Sequence, residues 1–524
     1  MVLSIIFLVL FAACTGISIY FVVNLVKSPM VQVNYKKELV KPAIFDAGAV
    51  IAFIVASFGF YSWLKATPDA LHAIQLVIGA IIFIGCFLVA TNCFILHYYG
   101  KNIPALLDKW LFRIQLISFT VSLVGFFIWT NGLAPYLSYP LINGINFTHG
   151  AVTPATYEGS VHITPNLAFY AMCILGGAIL VYFICDHYMY KEYGKHGILE
   201  STFFVAFPAG IIGARIAYVM GEWSTKFDNG HAMTEAFGMK IWAPLAIWEG
   251  GITILGGAIG GILIGVLWYL WRNKGKSIWI AFDMVLPTIL IAQAVGRWGN
   301  YFNCEVHGME VSVEGWKWLP EIIWRNSIYS SELGFAQEGN IYVPLFIIEG
   351  IVNMLGFFIL AHVFGKALRK YSELGDIGFG YIIWYGLTRM FMEPLRHPAF
   401  QMGAKGYWSW FWSMVFVVAG TLAIVINHIV RAHLRKKAGT FAVHSYSKKV
   451  GLISSIALVV VAVTCLALGI SFLSGSKFVE IVAYNNFNLG VIFMVLGVSF
   501  ASCLGISVPM LVDGIKKGNE TINA

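Results

Sequence analysis

Four arginines, Arg215, Arg297, Arg389 and Arg396, stand inside or at the ends of strongly apolar stretches of this 524-residue chain. Within a membrane span a guanidinium costs at least ~2.5 kcal/mol, so such a residue is expected to face a polar cavity, a charged partner or a ligand path. Singly, each could instead snorkel to the interface or pair with a nearby acid. As a group they point to an anion, because the guanidinium stays protonated and offers a planar donor fork that matches phosphate. In an apolar setting that anion is a phospholipid headgroup. Two glutamates lie close by in sequence: Glu305 follows Arg297, and Glu393 falls between Arg389 and Arg396. They can orient the arginines as ion-pair anchors or accept a proton. Asn300 and Asn303, in the string Gly296-Arg297-Trp298-Gly299-Asn300-Tyr301-Phe302-Asn303-Cys304-Glu305-Val306-His307-Gly308, add amide donors suited to phosphoglycerol oxygens.

The elements that must position these side chains follow from composition. Hydrophobic residues make up 59% of the chain and charged residues 11%, against about 25% charged in an ordinary soluble domain, and the mean hydropathy is +0.77. A soluble globular enzyme is excluded. Runs long enough to cross a bilayer, about 20 residues each, occur near 3–26, 44–64, 74–97, 110–130, 165–188, 199–221, 242–271, 279–300, 342–365, 376–396, 407–430, 449–473 and 485–512. The expected fold is all-α: a polytopic membrane protein of about 13 transmembrane helices with a small extracytoplasmic head segment.

The net charge of +8 is a matter of topology rather than of nucleic-acid binding. With the N-terminus outside and the C-terminus cytoplasmic, 22 Lys and Arg fall in cytoplasmic segments and 7 in outer ones, as the retention of basic residues on the inner side demands. At 1.5 Å per residue, Arg215, Arg297 and Arg389 then lie about 24, 27 and 20 Å along helices that run outward. That puts them at matching depth near the outer leaflet. The eight cysteines are scattered, seven of them within apolar runs, and read as small packing residues with no metal-ligand spacing. Leu10-Phe11-Ala12-Ala13-Cys14 has the look of a lipoprotein cleavage box but follows no basic n-region, so the first run is read as an uncleaved span. No cofactor and no metal are expected.

The string 296–308 closely resembles the pattern Gly-Arg-x-Gly-Asn-aromatic-x-Asn-x-Glu-x-x-Gly of the prolipoprotein diacylglyceryl transferase family, with every fixed position matched. Other segments agree in the same order. Ile163-Thr164-Pro165-Asn166-Leu167-Ala168-Phe169-Tyr170 resembles the start of the family's first core helix, with Tyr170 at the usual tyrosine. Gly213-Ala214-Arg215-Ile216-Ala217-Tyr218 resembles its second. Tyr385-Gly386-Leu387-Thr388-Arg389-Met390-Phe391-Met392-Glu393-Pro394-Leu395-Arg396 resembles the late Tyr-Gly-x-x-Arg-x-x-x-Glu-x-x-Arg segment. The resemblance covers a seven-helix core at 161–435. A four-helix membrane extension at 1–150 and a two-helix extension at 445–524 are left unexplained by it.

What the resemblance implies is a bacterial plasma-membrane transferase that moves the diacylglyceryl group of phosphatidylglycerol onto the lipobox cysteine of prolipoprotein signal peptides, releasing glycerol phosphate. Arg297, Arg389, Glu305 and Glu393 become candidate catalytic residues. Asn300, Asn303, Gly308, Tyr170, Arg215 and Arg396 become candidate substrate-binding residues. The outer segment 301–341, with Trp316, Trp318, Trp324 and Tyr329, is expected to form the head over the site, where a signal peptide could dock, or else an ordinary interfacial loop.

The chain departs from the family within Trp248-Glu249-Gly250-Gly251-Ile252-Thr253-Ile254-Leu255-Gly256-Gly257, where many members carry His and others Tyr at the position of Leu255. Leucine cannot move a proton. His307 and His397 are substitutes for that role, or else solvated loop histidines. A catalytically impaired lipid-binding homologue and a transporter or flippase of an anionic lipid are the competing readings. Against the carrier stand the absence of a convincing repeat between halves and the placement of the arginines away from the midplane. Gly256, Gly257, Gly260, Gly261 and Gly265 form overlapping Gly-x-x-x-Gly pairs, a spacing for close helix packing.

Overall fold

A backbone surrounded by lipid must satisfy its own hydrogen bonds, so long apolar runs become helices, and they do so in the computed structural model of this chain. The structure describes all residues except 1, 28–34, 64–68, 101–102, 138, 142–144, 148–160, 164–168, 225, 237–238, 247–253, 402–406, 438–447, 476–483 and 523–524. The expectations that rest on 164–168 and 248–253 lie outside the described residues.

Eleven helices among the described residues are long and apolar enough to cross a membrane, and the chain is a multi-pass, mostly helical membrane protein. The two remaining expected segments carry shorter helices. One is apolar over Ile259–Arg272; the other has 17 residues, between a left-handed Gly375 (φ 105°) and the turn that contains Pro394.

Contacts divide the chain into two units, one comprising 1–171 and 299–346, the other 172–298 and 347–524. The first holds α1 (Val2–Val26), the short α2 (Tyr35–Glu38), α3 (Val40–Trp63), α4 (Ala70–Tyr99) and α5 (Ala105–Leu133). Small residues let α4 and α5 touch backbone to backbone: a Cβ on Gly79 would meet Trp129 N at 2.2 Å, and one on Gly125 would meet Phe83 N at 2.3 Å. In lipid, where apolar burial drives little association, such close packing is what holds helices together.

After β1 (Ile145–Phe147) and its antiparallel partner β2 (Val161–Ile163), α6 (Phe169–Tyr193) and α7 (Glu200–Gly221) lead to the hairpin β3 (Met233–Ala236) and β4 (Met239–Trp242), then to α8 (Ile254–Arg272) and α9 (Ile278–Asn303). A Cβ on Gly213 of α7 would fall 2.6 Å from Gly256 O of α8, and one on Gly260 would fall 2.7 Å from Ala209 O. The glycine spacing of α8 is thus used for packing.

The head lies within the first unit. In it, β5 (Glu310–Ser312) leads to α10 (Glu321–Asn326), a hairpin of β6 (Tyr329–Ser330) and β7 (Gly334–Phe335) follows, and β8 (Asn340–Tyr342) returns antiparallel to β5 with Val311 opposite Ile341.

The second unit continues with α11 (Leu345–Phe358), extended by a π-helical stretch Ile359–Ala367, then α12 (Asp376–Met392), α13 (Tyr407–Lys437), α14 (Lys448–Leu473), α15 (Asn486–Ser502) and α16 (Leu504–Ile522). The start of α12 is capped from a neighbour: the Asp283 carboxylate on α9 accepts the N–H groups of Gly375, Ile377 and Gly378 at 2.8, 3.1 and 3.0 Å. At the other end of α12, Met390 packs with Trp410 of α13 and Ile492 of α15. The last helices therefore buttress the helix that carries Arg389.

Candidate active site

Charged side chains from three helices meet inside the second unit. Arg297 Nη2, near the end of α9, lies 2.5 Å from Glu349 Oε2 of α11. The other Glu349 oxygen accepts a hydrogen bond from Arg396 Nη2 at 2.8 Å. Arg396 Nε stands 3.9 Å from Glu393 Oε2, and the same Glu393 oxygen is 2.8 Å from Arg389 Nη2. The result is a continuous run of alternating charge, Arg297, Glu349, Arg396, Glu393, Arg389. Arg389 Nη2 also donates to Ser409 Oγ of α13 at 2.9 Å.

The local reasons are plain. Arg389 and Glu393 are one helical turn apart, so their side chains share a face. Pro394 ends the helix and turns the backbone, which returns Arg396 toward Glu349. The Glu349 and Glu393 side chains are 1% and 3% exposed, and none of the three arginines exceeds 19%. Among the described residues, this run sets three guanidiniums against two carboxylates.

Glu349 was not among the residues singled out from sequence. Its signal was a carboxylate inside the apolar run Phe346-Ile347-Ile348-Glu349-Gly350, as telling within a span as an arginine.

A second polar set lies in the first unit, at the end of α9. Glu305 Oε1 accepts from Asn300 Nδ2 at 2.8 Å and from Asn303 Nδ2 at 3.3 Å, and the Glu305 N–H donates to Asn300 O at 3.1 Å. The chain leaves the helix through left-handed backbone at Cys304 (φ 51°) and Val306 (φ 61°). For a β-branched residue such as valine this is strained, and it is the kind of conformation found where a loop must present particular groups. Gly308 N–H then donates to Val343 O at 3.0 Å. Gly299 answers to Tyr170: a Cβ there would sit 2.2 Å from the tyrosine ring, so only glycine admits the ring against the helix. The rings of Phe169 and Phe302 meet beside this contact at a tilt of 43°, with 4.7 Å between centroids.

The structure thus brings Arg297, Arg389, Glu393 and Arg396 together, groups Asn300, Asn303 and Glu305, and seats Tyr170 on Gly299. Arg215 has other described partners. Its Nε and Nη2 donate to Pro244 O and Ala243 O at 3.0 and 2.8 Å, and its guanidinium lies over the rings of Tyr218 and Phe227.

The two histidines differ from each other. His307 is buried at 3% exposure rather than solvated, and burial pulls its pKa down to about 4, so it is neutral at pH 7 and a weak base. His397 is partly exposed, and its Nδ1 accepts the Ala399 N–H at 3.3 Å. Leu255 belongs to the first turn of α8; its side chain lies outside the described residues.

Comparison with known proteins agrees with the motifs. A family model described as prolipoprotein diacylglyceryl transferase matches residues 160–426. A phosphatidylglycerol–prolipoprotein diacylglyceryl transferase of Streptococcus suis is 34% identical over 263 residues, 50% of this chain and 88% of the relative. One of Staphylococcus epidermidis is 30% identical over 290 residues, 54% of this chain and 92% of the relative. One of Streptococcus pyogenes is 35% identical over 234 residues, 44% and 78% of the two chains. With its arginine motifs, its helical architecture and this match over half its length, the chain belongs to the prolipoprotein diacylglyceryl transferase family.

Proposed function

We propose that this protein transfers the diacylglyceryl group of phosphatidylglycerol to the lipobox cysteine of prolipoproteins, at the outer leaflet of a bacterial plasma membrane. The observation that carries the reading is the buried run from Arg297 to Arg389, in which the described guanidiniums outnumber the carboxylates by three to two. A cluster of donor forks of this kind suits a phosphodiester that carries one negative charge.

In the reaction the cysteine thiol loses its proton and sulfur bonds to the glyceryl carbon. The bond from that carbon to phosphate oxygen breaks, and the electron pair leaves on glycerol phosphate. Negative charge grows on the departing group, so fixed cationic donors stabilise the transition state more than the bound lipid, and more strongly where water is excluded. Arg297 and Arg389 are assigned to that clamp, with Arg396 and Arg215 as further phosphate-binding candidates. Positive potential also favours the thiolate over the thiol, whose ordinary pKa near ~8.5 leaves it mostly protonated at neutral pH. This is a route by which a member with Leu255 in place of a histidine can work.

Glu393 is the candidate proton acceptor. Its Oε1 is buried and has no hydrogen-bond partner among the described residues. Asn300, Asn303, Glu305, Gly308 and Tyr170 enter the proposal through the motif they share with the family, the amides as donors to phosphoglycerol oxygens.

The test is transfer from labelled phosphatidylglycerol to a lipobox peptide by the detergent-purified protein. A thioether-linked diacylglyceryl peptide with release of glycerol phosphate is the expected result. Well-folded protein that binds the lipid but forms no thioether would leave only a lipid-binding homologue.

A further inference from the structure

The family match begins at residue 160, yet the membrane extension before it reaches into the signature loop. The end of α5 and the turn after it enter the head: Leu137, Tyr139 and Leu141 are each at most 1% exposed. Asn131 Oδ1, at the end of α5, accepts the N–H of Glu321, the first residue of α10, at 2.9 Å. At the other end of α10, Asn326 is 1% exposed and spans the gap between extension and motif. Its Oδ1 accepts Leu141 N–H at 2.7 Å, while its Nδ2 donates to Tyr301 O at 2.8 Å. Tyr301 Oη donates back to Ile322 O of α10 at 2.6 Å. Tyr301 immediately follows Asn300, whose amide and carbonyl both engage Glu305. One side-chain amide thus meets a backbone donor of the extension and a backbone acceptor of the signature segment, in a place where neither backbone group can turn to water.

We infer that Asn131 and Leu141 of the N-terminal extension brace the signature loop through α10, with Asn326 as a positioning residue for Asn300 and Glu305. The extension is then part of the catalytic apparatus of this chain rather than an appended membrane domain. A buried amide that satisfies two backbone groups at once specifies one loop geometry, because shifting the loop leaves a donor or an acceptor unpaired at about 1–3 kcal/mol each. The consequence for turnover rests on the proposed transferase activity; the brace itself does not.

Cys304 supplies a reporter that is independent of activity. Its Sγ lies 3.8 Å from Asn326 Oδ1 and it is fully buried, which pushes its thiol up to about 12 and shields it from alkylation. The experiment uses the full chain in detergent, below its melting temperature, with Asn326→Ala, Asn131→Leu and Asn131→Asp. Alkylation of Cys304 by N-ethylmaleimide is mapped by mass spectrometry, and kcat and KM are measured separately.

In Asn326→Ala and Asn131→Leu, Cys304 alkylation is expected to rise at least about 10-fold and kcat to fall about 10-fold, with KM for phosphatidylglycerol within about 2-fold, the signature of misplaced groups rather than lost binding. Asn131→Asp keeps an oxygen acceptor for Glu321 N–H and is expected to behave like the unsubstituted protein. Should Asn326→Ala not fold, Asn131→Leu, further from the core of the head, carries the same test. Unchanged Cys304 protection and unchanged kcat in Asn131→Leu would overturn the brace. An unsubstituted protein without transferase activity would sink the functional reading alone, since the alkylation pattern still judges the brace.

Discussion

Arg297 and Arg396 share the carboxylate of Glu349, one on each oxygen, at 2.5 and 2.8 Å. The shared acid ties together two guanidiniums from separate segments of the chain. The charge run beyond it, through Glu393 to Arg389, repeats the device.

Removing Glu349 should therefore do more harm than removing either arginine's hydrogen bonds. Glu349→Ala leaves two buried guanidiniums facing each other, and breaking a buried pair by deleting one partner costs about 3–5 kcal/mol. A fall in the thermal midpoint in detergent is the expected outcome, with Glu349→Gln, which loses the charge but keeps the shape, falling nearly as far. A midpoint for Glu349→Gln equal to that of the unsubstituted protein would show that the charge of Glu349 is not what holds the cluster.

Arg389→Lys and Arg297→Lys keep the charge and lose the planar fork. Loss of a preorganised donor to a developing negative charge lowers kcat by about 10²–10³, with folding largely retained. Ser409→Ala removes only the hydroxyl that accepts from Arg389 and should cost about 10-fold, as for one hydrogen bond from a charged donor whose charge stays in place. Steady-state transfer assays on purified variants discriminate these ranks.

Two glycines test packing at different places. At Gly299 an added methyl collides with the Tyr170 ring at 2.2 Å, a side chain that can swing away. At Gly213 it collides with the Gly256 carbonyl at 2.6 Å, backbone that cannot. Gly213→Ala should thus destabilise by about 1–3 kcal/mol, as overpacking does. Gly299→Ala should instead displace Tyr170 and lower activity with a smaller loss of stability. Melting curves set beside kcat for both variants separate the two effects.

His307 gives the head a pH dependence of definite sign. Its pKa falls from 6.5 to about 4 on burial, so the unfolded state binds the proton more readily. The contribution is complete above pH 6.5 and is lost as pH falls toward 4, where it amounts to at most about 3 kcal/mol. His307→Phe should flatten the stability profile across that interval. A profile of unchanged slope would mean that the buried imidazole does not set it.

The membrane architecture was legible because hydropathy is a local property: the expected spans carry helices, although the one expected at 242–271 opens on the end of β4 and a 3-10 turn before α8 begins at Ile254, and the one expected at 485–512 is shared by α15 and α16. The arginines were legible because a guanidinium in an apolar run needs a reason. Glu349 was legible in principle by the same argument and was passed over, since a single glutamate carries no spacing pattern. The burial of His307 was not legible at all. It comes from distant chain, with the His307 ring 5.8 Å from that of Tyr342 on β8 and Gly308 N–H bonded to Val343 O, whereas the local sequence Glu305-Val306-His307-Gly308 is that of a surface turn. Nor was the link from Leu141 to Tyr301 through Asn326, because nothing marks Leu141 or Asn326 where they stand in the chain and the pattern around Tyr301 says nothing of its backbone carbonyl.

By itself the sequence determined which segments enter the membrane, which residues bring charge into them, and the family to which the motifs belong. Only the tertiary structure decided which acid each arginine meets, that Arg215 turns to the carbonyls of Ala243 and Pro244, and that Asn326 joins the extension to the signature loop. The physical reason is that hydropathy and helix period act along one segment, whereas pairing depends on the rotation and approach of segments distant in sequence. In a membrane that rotation is set by close contacts between small residues and by the few polar groups that must find one another.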